Sequence, residues 1–168
     1  MGGDFGPSVV IPGALKAAEE GSFTVLLVGK EDVVREELAK HDTGRASFDV
    51  VHASEVALMG EKPSEILRRK KDASIQGACK LVKEGRAHGV VSPGHSGASV
   101  ACGMFIMGRI SGVDRPALAT VMPKEKSPTI VVDVGANVDC KPLHVFQVGL
   151  MADGDAKAIL GRQSRKIG

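Results

Sequence analysis

Gly89–Gly108 reads Gly-Val-Val-Ser-Pro-Gly-His-Ser-Gly-Ala-Ser-Val-Ala-Cys-Gly-Met-Phe-Ile-Met-Gly. Val90 and Val91 make a short β-branched run, and Pro93-Gly94 stops it. From Ser96 onward the residues are small or apolar over a length that suits a buried helix. The pattern predicts strand, tight loop, helix. A loop of that shape turns the backbone N–H groups of Gly97, Ala98 and Ser99 toward whatever lies beyond the strand end. Those groups lack intrahelical partners and the helix dipole adds partial positive charge, which favours an anion by roughly 0.3–2 kcal/mol. Gly94 and Gly97 keep side chains out of the way, and Ser96 and Ser99 bring hydroxyls. A phosphate or a developing oxyanion matches these donors. The same residues fit a structural role as well, with His95 or Ser96 capping the helix and the glycines allowing close packing. No Gly-Lys-Ser/Thr follows, so this is not a Walker loop, and Gly94-x-x-Gly97 is short of a dinucleotide fingerprint.

Working outward, Asp72 is placed to cap a helix over Ala73–Glu84, whose Ile75, Ala78, Cys79 and Val82 share a stripe and which returns the chain to the Val90 strand. Pro63-Ser64-Glu65 suits a helix start running into Arg68-Arg69-Lys70-Lys71. Phe23–Val28 and Phe48–His52 read as strands, and Glu31–His41 between them as a helix with acids at its start and Lys40 and His41 at its end. That βαβ unit implies a parallel sheet. Ser8–Glu20 has helical periodicity, with Pro12 tolerable only if the first regular turn begins near it. Toward the C-terminus, Pro116–Val121 and Thr129–Val134 are strand-like. Pro142–Leu160 is helical with a weak point at Asp153-Gly154-Asp155, and a further strand would start at residues 165–168. There is no internal repeat or linker. The reading is one α/β domain over residues 1–168, a doubly wound, mostly parallel sheet with helices on both faces.

Composition bounds the function. At 168 residues with 43% hydrophobic content the chain can bury a core, and with no Trp or Tyr and five Phe that core is aliphatic. A net charge of +2 argues against general nucleic-acid binding. No apolar run approaches the length of a membrane span, and no signal peptide is recognisable. Cys79, Cys102 and Cys140 are odd in number and widely spaced, which reads as three reduced thiols of a cytoplasmic protein with no zinc spacing.

In an open parallel sheet, ligands gather where strands end and loops open outward. That rule puts Gly2–Asp4, Gly94–Ala98 and Asp133–Asn137 (Asp133, Gly135, Ala136 and Asn137 among them) on one rim, a credible cleft for a small ligand. Asp4 and Asp133 could hold a metal, orient a base, or hydrogen-bond loop amides. No Asp/His set with metal spacing supports the first, so neither a metal nor another cofactor is expected. Arg68–Lys71 cannot all share one helical face, so some of these cations are solvated; the others could meet a phosphate or an acidic protein. His95 is the one imidazole on the predicted rim loop and so a possible proton donor, with capping as the competing role.

Six stretches then occur in a fixed order: Met1-Gly-Gly-Asp-Phe-Gly-Pro7, Val51-His-Ala-Ser-Glu-Val56, Arg68-Arg-Lys-Lys-Asp-Ala-Ser74, Val90-Val-Ser-x-Gly-x-x-Gly-Ala98 across the Gly94 turn, Asp114-Arg-Pro-Ala117 and Asp133-Val-Gly-Ala-Asn-Val-Asp-Cys-Lys-Pro142. Together they resemble the bacterial phosphate acyltransferase of phospholipid synthesis, the fatty acid/phospholipid synthesis protein PlsX family. The resemblance implies a fold similar to the phosphotransacetylases and the isocitrate/isopropylmalate dehydrogenases. It also implies formation of acyl-phosphate from acyl-acyl carrier protein and inorganic phosphate, by a homodimer in the cytoplasm or peripheral to the inner face of the membrane. On it, the Gly94–Ser99 turn cradles phosphate or the thioester carbonyl oxygen, Asp133–Asn137 shapes the adjacent wall, and Lys71 or Lys141 adds positive charge. Arg68 and Arg69 would meet the acidic carrier protein. Two other readings stay open: a phosphotransacetylase-like enzyme using acyl-CoA, and a non-catalytic anion-binding fragment.

Two departures accompany the resemblance. The family's usual Ala-Gly-Asn-Thr-Gly-Ala is Pro93-Gly-His-Ser-Gly-Ala98 here, which argues against His95 as an essential base. Family members are also roughly twice as long and begin with a strand before Met-Gly-Gly-Asp. On that basis the chain is expected to be the first half of a two-part enzyme, with any membrane contact made by the absent half.

Overall fold

The computed structural model describes residues 1–125, 127–135, 139–161 and 166–168. The chain is α/β and divides into two compact units, Met1–Gly108 and Arg109–Gly168.

In the first unit, α1 (Pro7–Glu20), β1 (Val25–Gly29), α2 (Glu31–Leu38) and β2 (Phe48–His52) follow in order, and β1 pairs with β2 in parallel from Val25↔Phe48 to Gly29↔His52. The expected parallel βαβ unit is therefore present. Ile11, Leu15 and Ala18 lie on one face of α1, and Ile11 and Leu15 pack with Val34 and Leu38 of α2 and Leu27 of β1. Val25, Phe48 and Val50 extend that cluster along the same face of the sheet, and the Met1 side chain joins it beside Gly29. Val28 points the other way, toward α4 (Ser74–Lys83): a Cβ built on Gly77 would stand 3.2 Å from its Cγ1, so the glycine lets that helix come close. The β1–β2 ladder thus has helices on both faces.

Three expectations for this unit need correction. Helix α1 starts at Pro7 and runs through Pro12, because Pro7 occupies a first-turn position where no N–H is needed and the buried Ile11–Leu15–Ala18 stripe holds the helix across the later proline. Asp72 does not cap α4. Its carboxylate accepts from the Ser54 N–H at 2.7 Å and the Ser54 hydroxyl at 2.6 Å, and Ala73 takes the N-cap position. Two donors on one residue outcompete a single helix amide, and the resulting tie continues as a parallel bridge between Glu55 and Ala73. Finally, Val90 and Val91 form no strand: Val90 packs against a core cluster while Val91 is 98% exposed. A two-residue run closed by Ser92-Pro93 finds no neighbouring strand to pair its backbone.

The second cluster of this unit joins α3 (Pro63–Arg69), α4 and α5 (Ser96–Cys102) through Ile66, Ala73, Ile75, Cys79, Ala98 and Cys102. Buried Gln76 completes it. Its Nε2 donates to the carbonyls of Ile66 at 2.9 Å, Leu67 at 3.3 Å and Lys70 at 2.9 Å, a second donor for acceptors that the Lys70 N–H, the Lys71 ammonium and the Ala73 N–H also serve. A π-helical turn, Gly103–Met107, follows α5 directly.

In the second unit, β3 (Ala119–Met122) and β4 (Thr129–Val132) form an antiparallel pair, and α6 (Pro142–Leu160) packs on β4. The ladder begins three residues after Pro116, which has no N–H to give it. Helix α6 is unbroken at Asp153-Gly154-Asp155. None of its residues is buried, and Leu143, Val145, Phe146, Leu150 and Ile159 are exposed. Residues 166–168 are not in a strand. No described helix is long and apolar enough to cross a membrane.

Candidate functional site

The Gly94 turn is built by close approach of backbones. A Cβ on Gly2 would lie 3.0 Å from Gly94 Cα, and one on Gly94 would lie 3.2 Å from Gly2 Cα, so the two loops meet back to back. Gly3, at φ +89°, lays its backbone on Pro93. The structure therefore brings the Gly2–Asp4 loop to the Gly94 turn as the sequence predicts, with Asp4 exposed beside it. Gly97 faces α3: a Cβ there would sit 2.8 Å from Pro63 Cγ.

His95 fastens the turn at two points. Its Nδ1 accepts the Ala98 N–H at 3.3 Å, and its Nε2 lies 2.8 Å from the Glu61 carbonyl oxygen. A carbonyl only accepts, so Nε2 carries the proton and the imidazole is the neutral Nε2–H tautomer. Capping, the alternative weighed for His95, is what the geometry holds. The Ser99 N–H and hydroxyl both donate to the His95 carbonyl, at 3.0 and 3.2 Å. Of the three N–H groups expected to be uncapped, those of Ala98 and Ser99 are engaged within the chain. A histidine at the N-cap supplies its own acceptors, and the donors left at this turn are the N–H groups of Ser96 and Gly97 with the exposed Ser96 hydroxyl.

The basic run divides as helix geometry requires. Lys70 turns inward and binds Glu61 Oε2 at 2.6 Å and the Val56 carbonyl at 2.7 Å. Lys71 donates to the Leu67 carbonyl at 2.8 Å, so its ammonium closes α3. Arg68 and Arg69 are exposed. Glu61 is held below the usual carboxylate range, first by the Lys70 ammonium and then by the Leu58 N–H. The hydroxyl and then the N–H of Ser54 do the same for Asp72.

Asp133, Gly135 and Lys141 belong to the second unit. Asp133 ends β4 at φ 68°, the one positive φ outside glycine among the described residues, with its N–H on the Leu118 carbonyl at 2.8 Å. Asp tolerates that conformation better than most residues. Gly135 follows at φ 109°. Ala136 and Asn137 lie outside the described residues. Lys141 is the N-cap of α6, its N–H bonded to His144 Nδ1 at 3.2 Å. No group of three or more His, Cys, Asp or Glu side chains placed to hold a metal occurs among the described residues.

Sequence reasoning missed two features. One is Glu61, which links Lys70 to the His95 turn and which no pattern marks. The other is an open depression where β1 and β2 end, lined by Lys30, Glu31, Asp32, Arg35, His52 and Ser54. Its signal was present, since Lys30 and His52 close or directly follow the two strands that the sequence did show.

The family described as fatty acid synthesis protein matches residues 1–168. The chain belongs to that family. It is 66% identical over 168 residues to the phosphate acyltransferase of Nitratidesulfovibrio vulgaris (strain DP4), covering all of this chain and 49% of that protein. Phosphate acyltransferases of Oleidesulfovibrio alaskensis and Geobacter sulfurreducens are 60% and 46% identical over the whole chain, which covers 48% and 49% of them. The chain thus spans about half the length of the curated relatives it matches.

Proposed function

We propose that this chain is one part of a phosphate acyltransferase that makes acyl-phosphate from acyl-acyl carrier protein and inorganic phosphate. The observation that carries the reading is the 66% identity, over every residue of the chain, to a protein named phosphate acyltransferase. Hydrogen phosphate is already an anionic nucleophile, so the protein has to position it and stabilise charge on the thioester carbonyl oxygen more than supply a strong base. A phosphate oxygen attacks the carbonyl carbon, the C–S bond breaks, and the carrier thiol leaves with the phosphate's proton. In this reading Ser96 and Gly97 offer donors at the turn that His95 fixes. By the family resemblance, Asp4, Lys71, Asp133, Gly135, Ala136, Asn137 and Lys141 also contribute to binding the phosphate.

The reading extends to a doubly wound, isocitrate dehydrogenase-like sheet in the complete protein, formed by a single domain over residues 1–168 together with the other half. It also includes a homodimer that works in the cytoplasm or against the membrane's inner face. Arg68 and Arg69, exposed at the end of α3, would attract an acidic carrier through a field that salt screens. Changing both to Ala should raise KM for the carrier-linked substrate and flatten its salt dependence while leaving kcat in place.

The deciding experiment joins this chain to the remaining half of the Nitratidesulfovibrio vulgaris relative and measures acyl-phosphate from acyl-acyl carrier protein and from acyl-CoA. Turnover with the carrier-linked substrate is expected. Turnover with acyl-CoA alone would replace the reading by a phosphotransacetylase, and turnover with neither would leave an anion-binding fragment.

A further inference from the structure

Glu61 and Lys70 have no direct part in the reaction proposed above, yet they hold the segment on which the Gly94 turn rests. Lys70 follows α3 directly, and its backbone is fixed by its N–H on the Ile66 carbonyl at 3.0 Å and by its carbonyl under the Gln76 amide at 2.9 Å. From that base the ammonium reaches the Glu61 carboxylate at 2.6 Å and the Val56 carbonyl at 2.7 Å, and the same carboxylate oxygen accepts the Leu58 N–H at 2.8 Å. Residues 56–61 are thereby drawn into a loop closed on one ammonium. The Lys70 and Glu61 side chains are only 24% and 30% exposed, so solvent and salt screen this pair less than one on the open surface.

The turn leans on this segment at two points. The Glu61 carbonyl accepts from His95 Nε2 at 2.8 Å, and two residues further on, Pro63 packs so close to Gly97 that a Cβ there would stand 2.8 Å from its Cγ. The carbonyl also selects the form of the ring, because the hydrogen bond made by one imidazole nitrogen decides which of the two carries the proton. With Nε2–H on Glu61, Nδ1 keeps the lone pair that takes the Ala98 N–H at 3.3 Å. The opposite tautomer would set an Nδ1–H against that N–H, and the cap would be lost. The placement of one backbone carbonyl thus decides whether the turn closes.

We propose that Glu61 and Lys70 are positioning residues for the Gly94 turn: their ion pair places the Glu61 carbonyl, which fixes the His95 tautomer and through it the donors of Ser96 and Gly97. On the function proposed above, that role bears on phosphate binding rather than on the chemical step. A loosened turn lowers the fraction of molecules whose donors are set for the anion, and apparent affinity falls with that fraction. Bound phosphate and the transition state that contains it lose the same interaction, so KM for phosphate rises while kcat holds.

The test compares Glu61→Met and Lys70→Met with the unaltered chain in two measurements. The first needs no turnover: with isotope-labelled histidine at about pH 8, where a free imidazole is neutral, long-range proton–nitrogen spectra report the tautomer, and the His95 signals are those that His95→Asn removes. The unaltered chain should show the Nε2–H form, and both variants should move toward a mixture of the two tautomers. The second uses the chain joined to the remaining half of the Nitratidesulfovibrio vulgaris relative. There KM for phosphate should rise about fivefold if the turn is set in about a fifth of the molecules, with kcat within about twofold. An unchanged His95 spectrum in both variants would overturn the proposal, as would an unchanged KM in joined protein that turns over. So would a rise in KM for Lys70→Met with a fall for Glu61→Met, since Lys70 would then meet the phosphate itself and Glu61 would compete for it. Absence of any acyl-phosphate from the joined protein would refute the function proposed above instead, and the His95 spectrum would then decide the positioning role alone. Should Glu61→Met fail to fold, Lys70→Met decides, because it leaves the Glu61 carbonyl and carboxylate in the chain.

Discussion

His95 shows what a single side chain does at this turn. It caps α5 through the Ala98 N–H and reaches the Glu61 carbonyl with the opposite edge of the ring. Asparagine can accept the Ala98 N–H in the same way, so His95→Asn should keep the cap and, in an assembled enzyme, the turnover. His95→Ala should destabilise the first unit by about 0.5–2 kcal/mol, the range for losing an N-cap, measured by denaturant unfolding. A hundredfold fall in turnover for His95→Asn would instead give the imidazole a role in proton transfer. Asp72 and Glu61 set the response to acid. Both are held below their unfolded values, near 3.9 and 4.3, so their contribution is full above those values and is lost as pH falls through the lower folded ones. Stability should therefore drop below about pH 4. Asp72→Asn should be less stable at neutral pH and decline less steeply in acid, which urea midpoints across pH would read. At this scale the sequence was legible only where an atom has few uses. Glycine at 94 and 97 pointed correctly to close packing, whereas Asp72 had both a helix end and Ser54 within reach, and only the folded chain chooses between them.

Elements were more legible than side chains because periodicity is a property of many residues at once. β2 matches its predicted span, and β1, α2, α3, α4 and α6 lie within a few residues of theirs. Each has a buried stripe, a run of β-branched residues or a proline start that local physics already favours. The Val90-Val91 run failed for the opposite reason, since a strand exists only when a partner pairs with it, and the partner is not written in the run itself. Between elements, Gln76 is the clearest single tie: one amide group serves three carbonyls where α3 ends. Gln76→Leu fills a similar volume but removes the amide's bonds from carbonyls that keep the Lys70 N–H, the Lys71 ammonium and the Ala73 N–H, at about 0.5–1.5 kcal/mol, the net value of a typical hydrogen bond. Chemical unfolding should show that loss, and hydrogen exchange should show α3 opening before β1 and β2. An unchanged midpoint would mean that water replaces the amide without cost.

For the molecule as a whole, the second unit is the part least able to stand by itself. A two-stranded antiparallel pair and one helix leave Leu143, Val145, Phe146, Leu150 and Ile159 exposed, together with Val121, Met122 and Val131 of the strands. Apolar surface on that scale favours association. Purified alone, the chain should therefore elute above its monomer mass or melt without a sharp transition, and it should form negligible acyl-phosphate. Light scattering and a thermal scan check the first expectation; a monomer with a cooperative melt would refute it without touching the second. The contact between Gly2 and Gly94 has a different kind of consequence, because it couples two positions ninety-two residues apart in the chain. Neither can gain even a methyl group unless the opposite loop retreats, so a first substitution at either one is penalised before a second can relieve it. In evolutionary terms the pair sits behind a barrier that single mutations do not cross, and lineages that keep this loop contact should inherit both glycines together.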